Sequence, residues 1–266
     1  MVSFTTAVRS SQFSPYINKQ VVTMDISVVV PVHNEAENLQ SLLGEIYQAL
    51  EGRGDYEVIY VDDGSTDGTL VLLQGLQSEF PRLRVLRHIK VCGQSTALCS
   101  GIRAARADVI ATLDGDGQND PANIPGMWDA LKRLQQDRPL AMVAGYRKSR
   151  KDTGWRKFSS RVANTVRAAM LRDDTPDTGC GLKVFSRELF LHMPYFDHMH
   201  RFLPALAQRQ GGKVISVEVN HRPRLAGVSK YGTWQRLWVG IIDLFGVMWL
   251  QRRAFVPQIE EVKRRA

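Results

Sequence analysis

Ile26-Ser-Val-Val-Val-Pro-Val32 is an apolar, β-branched run bounded by polar residues. A run of that kind reads as a parallel strand buried on both faces, so it needs neighbouring strands and covering helices. The chain supplies both. From about Glu35 to Leu50, the residues Leu39, Leu42, Leu43, Ile46 and Leu50 recur at three- and four-residue spacing, which predicts an amphipathic helix. Tyr56-Glu-Val-Ile-Tyr-Val61 predicts a second strand, and Thr66 to Gln77 a helix capped by Ser65 or Thr66. Arg84 to His88, Asp108 to Leu113 and Leu140 to Ala144 predict further strands, separated by helices near Gln94–Arg106 and Asn123–Gln135. Strands alternating with helices predict an α/β domain with a mostly parallel sheet flanked by helices.

Beyond Gly145 the pattern changes. The basic segment Lys148 to Arg172 reads as loop and then helix, and Gly181-Leu-Lys-Val-Phe185 as a strand. A helix near Arg201 to Gln210, a strand at Lys213 to Val219 and a Trp-rich helix from Thr233 to Gln251 follow. The expected division is a flexible extension over 1–23, one α/β domain over 24–230, and a helix with a basic tail over 231–266.

The 266 residues are 44% hydrophobic and 23% charged, which suits a globular chain with a sizeable core. The formal charge of +8 concentrates in Arg147–Arg172 and Arg201–Lys230, with a short tail of Lys263, Arg264 and Arg265. Such clusters suit phosphate-bearing partners: nucleotide, anionic lipid or nucleic acid. Nucleic acid is not expected, because the chain carries no recognised module and no aromatic stacking stripe. Three cysteines, Cys92, Cys99 and Cys180, lack metal-ligand spacing and read as reduced thiols. Residues 1–23 contain no apolar core of signal-peptide type, so no leader is expected. No run of about 18 apolar residues occurs, so no spanning helix is expected. The nearest candidate, Leu237 to Leu250, is broken by Asp243.

Two acidic clusters follow predicted strands: Asp62-Asp-Gly-Ser-Thr-Asp67 and Asp114-Gly-Asp-Gly-Gln-Asn-Asp120. Open parallel sheets bind ligands at the carboxyl ends of their strands, so both clusters are expected to face one crevice. Asp62 and Asp63 suit hydrogen bonds to a base or ribose. Asp114 and Asp116, helped by Gln118, suit a hard divalent cation, which offsets carboxylate repulsion and can bridge a diphosphate leaving group. Taken singly, each cluster is also what an ordinary Asp/Gly turn looks like. There is no G-x-G-x-x-G after the first strand and no G-K-[ST] loop, which disfavours dehydrogenase and ATPase readings.

With these motifs in place, Pro31-Val-His-Asn-Glu35, Asp62–Asp67 and Asp114–Gln118 resemble inverting glycosyltransferases of the GT-A (nucleotide-diphospho-sugar transferase) fold. Gly145-Tyr-Arg147, Arg156 to Asn164, Gly179 to Phe185, His200-Arg-Phe-Leu-Pro204 and Ser229-Lys-Tyr-Gly232 are similar to dolichol-phosphate mannose synthases and their bacterial polyprenyl-phosphate relatives. The resemblance covers roughly residues 24 to 235, in the same order. It implies that 24–230 is a GT-A catalytic domain in which Pro31, Asn34, Glu35, Asp62 and Asp63 line a nucleotide-sugar site. It implies further that Asp114, Asp116 and Gln118 hold Mg²⁺ or Mn²⁺, and that Arg147, Arg161 and Lys230 meet the acceptor phosphate or the donor diphosphate. Two departures stand out. Cys180-Gly-Leu-Lys183 replaces the more usual Ser-Gly-Phe-Arg, which unsettles the mannose donor. Many bacterial members also continue into transmembrane helices, which are not expected in these 266 residues.

A phosphate monoester acceptor is anionic near neutral pH, so the expected work is positioning and charge neutralisation, with inversion by in-line displacement. Arg147 to Arg161 fits that need, and Asp177 reads as a base, an orienting group or a plain turn residue. The recurrence of Trp234, Leu237, Trp238, Ile241, Phe245, Met248 and Trp249 predicts an amphipathic interfacial helix on an anionic membrane surface, at the cytoplasmic face of the inner membrane. A core helix or a homo-oligomer contact is the plainer reading of that stripe. A transferase acting on a glycan hydroxyl is the close rival, and a non-catalytic nucleotide-sugar-binding scaffold the more distant one. The sequence leaves the sugar and the nucleotide base, GDP- or UDP-linked, open.

Overall fold

The computed structural model describes residues 24–147, 167, 170, 171, 173, 175–223 and 233–255, with the side chains of 233–239 excepted. Seven strands form one sheet: β1 (Ile26–Val32), β2 (Tyr56–Asp63), β3 (Leu83–His88), β4 (Val109–Thr112), β5 (Ala141–Tyr146), β6 (Lys183–Ser186) and β7 (Lys213–Glu218). Their order across the sheet is β3-β2-β1-β4-β6-β5-β7. All pairings are parallel except those of β6, which runs antiparallel to both β4 and β5. The mostly parallel sheet agrees with the sequence expectation. The reversed central strand is a structural addition to it.

Both faces are covered, which is why β1 and β2 are buried at every residue. Ile26, Val28, Val30 and Val32 point to one face, where α1 (Leu39–Leu50), α2 (Thr69–Glu79) and α4 (Ile124–Gln135) pack. Val29 of the same strand, with Ile59 and Val61 of β2, points to the other face. There α3 (Gln94–Ala104), the short α5 (Arg187–Leu191) and α6 (Leu203–Arg209) cover the sheet. The period of two along β1 therefore divides two hydrophobic cores.

Helix α7 (Thr233–Arg252) packs on the second core through Leu244, Val247, Met248 and Leu250, and Val247 is fully buried. Ile242, Phe245 and Trp249, at three- and four-residue spacing, face outward and are 69%, 55% and 58% exposed. The other aromatic residues of the predicted stripe, Trp234 and Trp238, have side chains outside the described residues. Among the described residues, no helix is long and apolar enough to cross a membrane.

Element starts differ where side chains compete for backbone donors. α2 begins at Thr69 rather than Thr66, because Asn34 Oδ1 accepts the Thr66 amide at 2.8 Å and Asp67 Oδ1 accepts the Thr69 amide at 2.9 Å. The N-cap is therefore Gly68, not Ser65 or Thr66, and Asp67 just before it accepts the first helical amide. α1 likewise starts at Leu39, after a 3₁₀ turn over Ala36–Asn38.

α3 approaches the sheet at Gly101. A Cβ there would collide with Val29 Cγ1 and lie 3.0 Å from Val61 Cγ2, both in stiff, buried β-branched side chains. Gly101→Ala is expected to destabilise the protein by about 1–3 kcal/mol through overpacking, read as a lower midpoint in chemical denaturation at unchanged slope.

Candidate active site

The carboxyl ends of β1, β2 and β4 open into a cleft of about 530 Å³. Pro31, Glu35, Asp63, Asp114, Asp116, Arg147 and Asp177 all line it, so seven of the residues predicted from sequence converge there. Arg161 and Lys230 lie outside the described residues. Asn34, Asp62 and Gln118 belong to the same loops but are not among the lining residues.

Asn34 is a clamp. It adopts a left-handed backbone (φ 53°), which Asn tolerates better than most residues. Its amide donates to Ser65 Oγ at 2.9 Å while its side chain accepts from Thr66. The β1 loop is thereby tied to the β2 loop. Asp62 is fully buried beneath that turn, its Oδ1 accepting the Ser65 amide at 3.0 Å. Asp62 therefore builds the turn, whereas its neighbour reaches the cleft.

Asp63 reaches the cleft with its oxygens already engaged. Oδ1 accepts the Cys92 amide at 2.8 Å and lies 2.7 Å from His88 Nδ1; Oδ2 accepts the Gly93 amide at 2.8 Å. His88 Nε2 in turn meets Ser100 Oγ at 2.9 Å. Asp63 thus anchors the loop after β3, whose Val91 and Gly93 line the cleft. Gly64 makes the approach possible: its φ is +65°, and a Cβ would sit 2.7 Å from the Lys90 and Val91 backbone.

The second cluster forms the floor. Asp114 accepts from Gln94 Nε2 at 2.8 Å and from Asn119 Nδ2 at 3.3 Å. Burial, and then the charge of Asp116, push the Asp114 carboxyl above its ordinary range. Asp116 Oδ1 accepts the Gln118 amide at 3.1 Å. Gln118 thus serves this loop through its backbone. The Asp114 carboxylate presses so closely on Gly181 that a Cβ there would overlap it. A carboxyl group destabilised by burial and a second carboxylate, both with hard oxygen donors, fits Mg²⁺ or Mn²⁺. Asp63, His88 and Cys92 also bring candidate ligand atoms within 4.8 Å of one another. Their mixed donors suit a softer ion, and the Asp63 oxygens already hold two backbone amides.

Cations face this floor. Arg147 forms a two-point pair with Asp177, Nε to Oδ2 at 2.5 Å and Nη2 to Oδ1 at 3.0 Å. Asp177, read from sequence as base, orienting group or turn residue, is the anchor of Arg147. Lys183 was missed as a site residue. It is 3% exposed in the central strand β6, donates through Nζ to the Cys180 carbonyl, and lines the cleft. Burial pushes its pKa down, opposed by the Cys180, Asp114 and Asp177 charges. The usable signal was a lysine inside an otherwise apolar strand run.

A protein-family model for glycosyl transferase family 2 matches residues 27–193. The chain belongs to glycosyl transferase family 2. It is 36% identical over 240 residues to the dodecaprenyl-phosphate galacturonate synthase of Rhizobium johnstonii, covering 88% of this chain and 70% of that protein. It is 32% identical over 209 residues to an undecaprenyl-phosphate 4-deoxy-4-formamido-L-arabinose transferase of Aeromonas hydrophila, covering 78% of this chain but 63% of that relative. Among solved structures, a mannosyltransferase of Pyrobaculum calidifontis in complex with GDP-Man and Mn²⁺ shares the fold. Its TM-score is 0.64 at 21% identity, over 87% of this chain and 65% of that one. The glucosyl-3-phosphoglycerate synthase of Mycobacterium tuberculosis, in complex with Mn²⁺, UDP-Glc and phosphoglyceric acid, gives 0.58 at 21% identity, over 86% and 79%. The family 2 chain therefore has the GT-A fold expected from its motifs.

His200, like Gln94, is a lining residue that no position-by-position expectation included. It lines the cleft, and its Nδ1 lies 2.8 Å from Ser95 Oγ. Burial, then the charges of Arg201 and Lys183, push its pKa down to about 3. A histidine whose folded pKa lies below its unfolded value of about 6.5 favours folding fully above that value and loses the contribution as pH falls toward 3. Wild-type thermal stability is expected to decline from pH 6.5 to 4 more steeply than that of His200→Gln. Equal slopes in thermal unfolding across that range would contradict a neutral, buried His200.

Proposed function

We propose that this family 2 glycosyltransferase moves a sugar from a GDP- or UDP-linked donor to a polyprenyl phosphate, with inversion. The observation that carries the reading is the pairing, in one cleft, of the Asp114/Asp116 floor with the Arg147–Asp177 pair and Lys183. Both curated relatives described above are named for transfer to a polyprenyl phosphate. A cation of the Mg²⁺ or Mn²⁺ type, when bound at Asp114 and Asp116, would neutralise the donor diphosphate as it leaves.

The residues of the chain supply position and charge. Asp63 holds the loop after β3 against the nucleotide side, with Pro31 and Glu35 at the mouth. Asp177 occupies Nε and Nη2 of Arg147, which fixes the guanidinium plane and leaves Nη1 to meet a phosphate oxygen. Lys183 adds a second cation at the floor. Arg161 and Lys230 would complete the phosphate contacts. Such an acceptor enters already ionised, so no free general base is required. That favours a phosphate over a glycan hydroxyl, because the carboxylate nearest to a base role, Asp177, is held in an ion pair.

Sugar transfer to a short-chain polyprenyl phosphate, run with a panel of nucleotide sugars and Mn²⁺, tests this directly. One donor is expected to give product, and Asp116→Ala to lower the rate by a factor on the order of 10³. Product from a glycan hydroxyl and none from the lipid phosphate would overturn the acceptor assignment.

The same acceptor implies work at a membrane surface, and the outward face of α7 supports it. Ile242, Phe245 and Trp249 are exposed, with Arg252 and Arg253 at the helix end. We place this face against anionic lipid at the inner face of the membrane. Phe245→Glu with Trp249→Glu is expected to abolish co-sedimentation with vesicles containing phosphatidylglycerol while leaving the unfolding temperature nearly unchanged. Unaltered vesicle binding, or a change of oligomeric state instead, would reject that orientation.

A further inference from the structure

A strap of chain crosses the outside of the acidic floor loop immediately after β7. Val219 donates its amide to the Tyr146 carbonyl at 3.0 Å, and the following residues leave the sheet to run along Gln118–Asn123. His221 bridges Asn119 in antiparallel fashion, and the Arg222 amide donates to the Gln118 carbonyl at 3.0 Å. Asn220 Nδ2 reaches Asp120 Oδ2 at 3.3 Å. The Arg222 side chain then closes over the loop. Nη2 meets Asp120 Oδ1 at 2.5 Å and Nη1 meets Glu45 Oε2 of α1 at 2.7 Å.

The residues gripped from outside are the ones that hold the two floor carboxylates from inside. Gln118 presents its amide to Asp116 Oδ1, and the buried Asn119 donates its side-chain amide to Asp114 Oδ2. The Asp120 carboxylate is fixed three times, by Arg222, by Asn220 and by its own cap on the Ala122 amide at 3.0 Å. A continuous set of hydrogen bonds therefore runs from α1 through Arg222 to Asp120, and from the strap backbone through Gln118 and Asn119 to the carboxylates. α1 packs against the same turn and belongs to the rigid first core, so Glu45 gives the grip a fixed reference.

We propose that Arg222 is a positioning residue for the cation site: it sets the spacing of Asp114 and Asp116 without touching the ion or the substrate. This rests on the reading that those two carboxylates hold the divalent cation. Arg222 bridges two carboxylates from a partly solvent-exposed position, where screening keeps ion pairs modest, so loss of Arg222 should lower the stability of the fold only slightly. Groups that orient metal ligands from behind, by contrast, typically change metal affinity by 10–100-fold.

Binding of Mn²⁺ to the full chain, followed by loss of the free-ion EPR signal in the presence of UDP and in parallel of GDP, separates the possibilities. Arg222→Met, which keeps much of the apolar stem, is expected to weaken Mn²⁺ binding about tenfold while the unfolding temperature stays close to wild type. Arg222→Lys, able to keep one of the two carboxylate contacts, is expected to fall between. Wild-type Mn²⁺ affinity in Arg222→Met overturns the inference. So does weakening that Arg222→Lys does not relieve and that tracks a fall in unfolding temperature, since that marks a purely structural residue. If wild type and Asp116→Ala bind Mn²⁺ equally, the cation-site reading itself fails, and the positioning role fails with it.

Discussion

Asp114 sits where a carboxylate is least comfortable: at the floor of a cleft, against the Gly181 backbone, with Asp116 next to it. Much of the cleft reads as a response to that arrangement. Gln94 and Asn119 donate side-chain amides to it, and Lys183 and Arg147 bring positive charge without direct pairing. Glycine at 181 is required because any side chain would occupy the carboxylate's place. Glycine at 115 is required because a Cβ would meet Val32 Cγ1 at 2.5 Å and the Pro31 carbonyl at 3.1 Å. The floor can therefore form only where β1, β4 and β6 end close together.

That meeting point is set by the sheet. β1 lies between β2 and β4, in register from Ser27 opposite Ile110 to Val29 opposite Thr112, so the loops after β1 and β4 emerge side by side. The reversed strand β6 next to β4 brings its Cys180–Lys183 end to the same edge, with Thr112 Oγ1 donating to the Gly181 carbonyl at 2.7 Å. A parallel strand in that place would run the other way, directing its first residues to the far edge of the sheet and Lys183 away from Asp114. The antiparallel strand β6 is thus what closes the cleft with the buried Lys183.

Much of this was legible in the chain before its structure. The runs at Ile26–Val32 and Tyr56–Val61 could be buried only on both faces, and the acidic clusters directly after strands could point only to the carboxyl edge. The orientation of β6 was not legible, because four residues containing a lysine carry no local signal for which neighbour they choose or in which direction they run. Lys183 went unrecognised as a site residue for the same reason. Its meaning depends on Asp114, which approaches it only through the sheet. Asn34 and Asp62 are expected from sequence to line the nucleotide site, and the structure shows them tying and supporting a turn. A polar residue in a glycine-rich turn looks the same in sequence whether it faces a ligand or the neighbouring backbone.

The two acidic clusters, alike in composition, have been given opposite electrostatic surroundings. Asp63 is satisfied by the backbone amides of Cys92 and Gly93 and by His88, so a cation placed there would have to displace donors that also hold the β3 loop. Asp114 carries a charge destabilised by burial and by the nearby Asp116, which the neighbouring amides, Lys183 and Arg147 oppose, so a cation placed there relieves it further. One carboxylate is spent on shape and the other pair kept for charge. The division follows from position: Asp63 lies over the loop from an adjacent parallel strand, which offers amides, whereas Asp114 faces the start of β6 and the turn before it, which offer a carbonyl-bound lysine and, at Gly181, no side chain to intervene. Under the function proposed above, it is this difference, more than the count of acidic residues, that assigns a diphosphate and its cation to the β4 side of the cleft and the nucleoside to the β2 side.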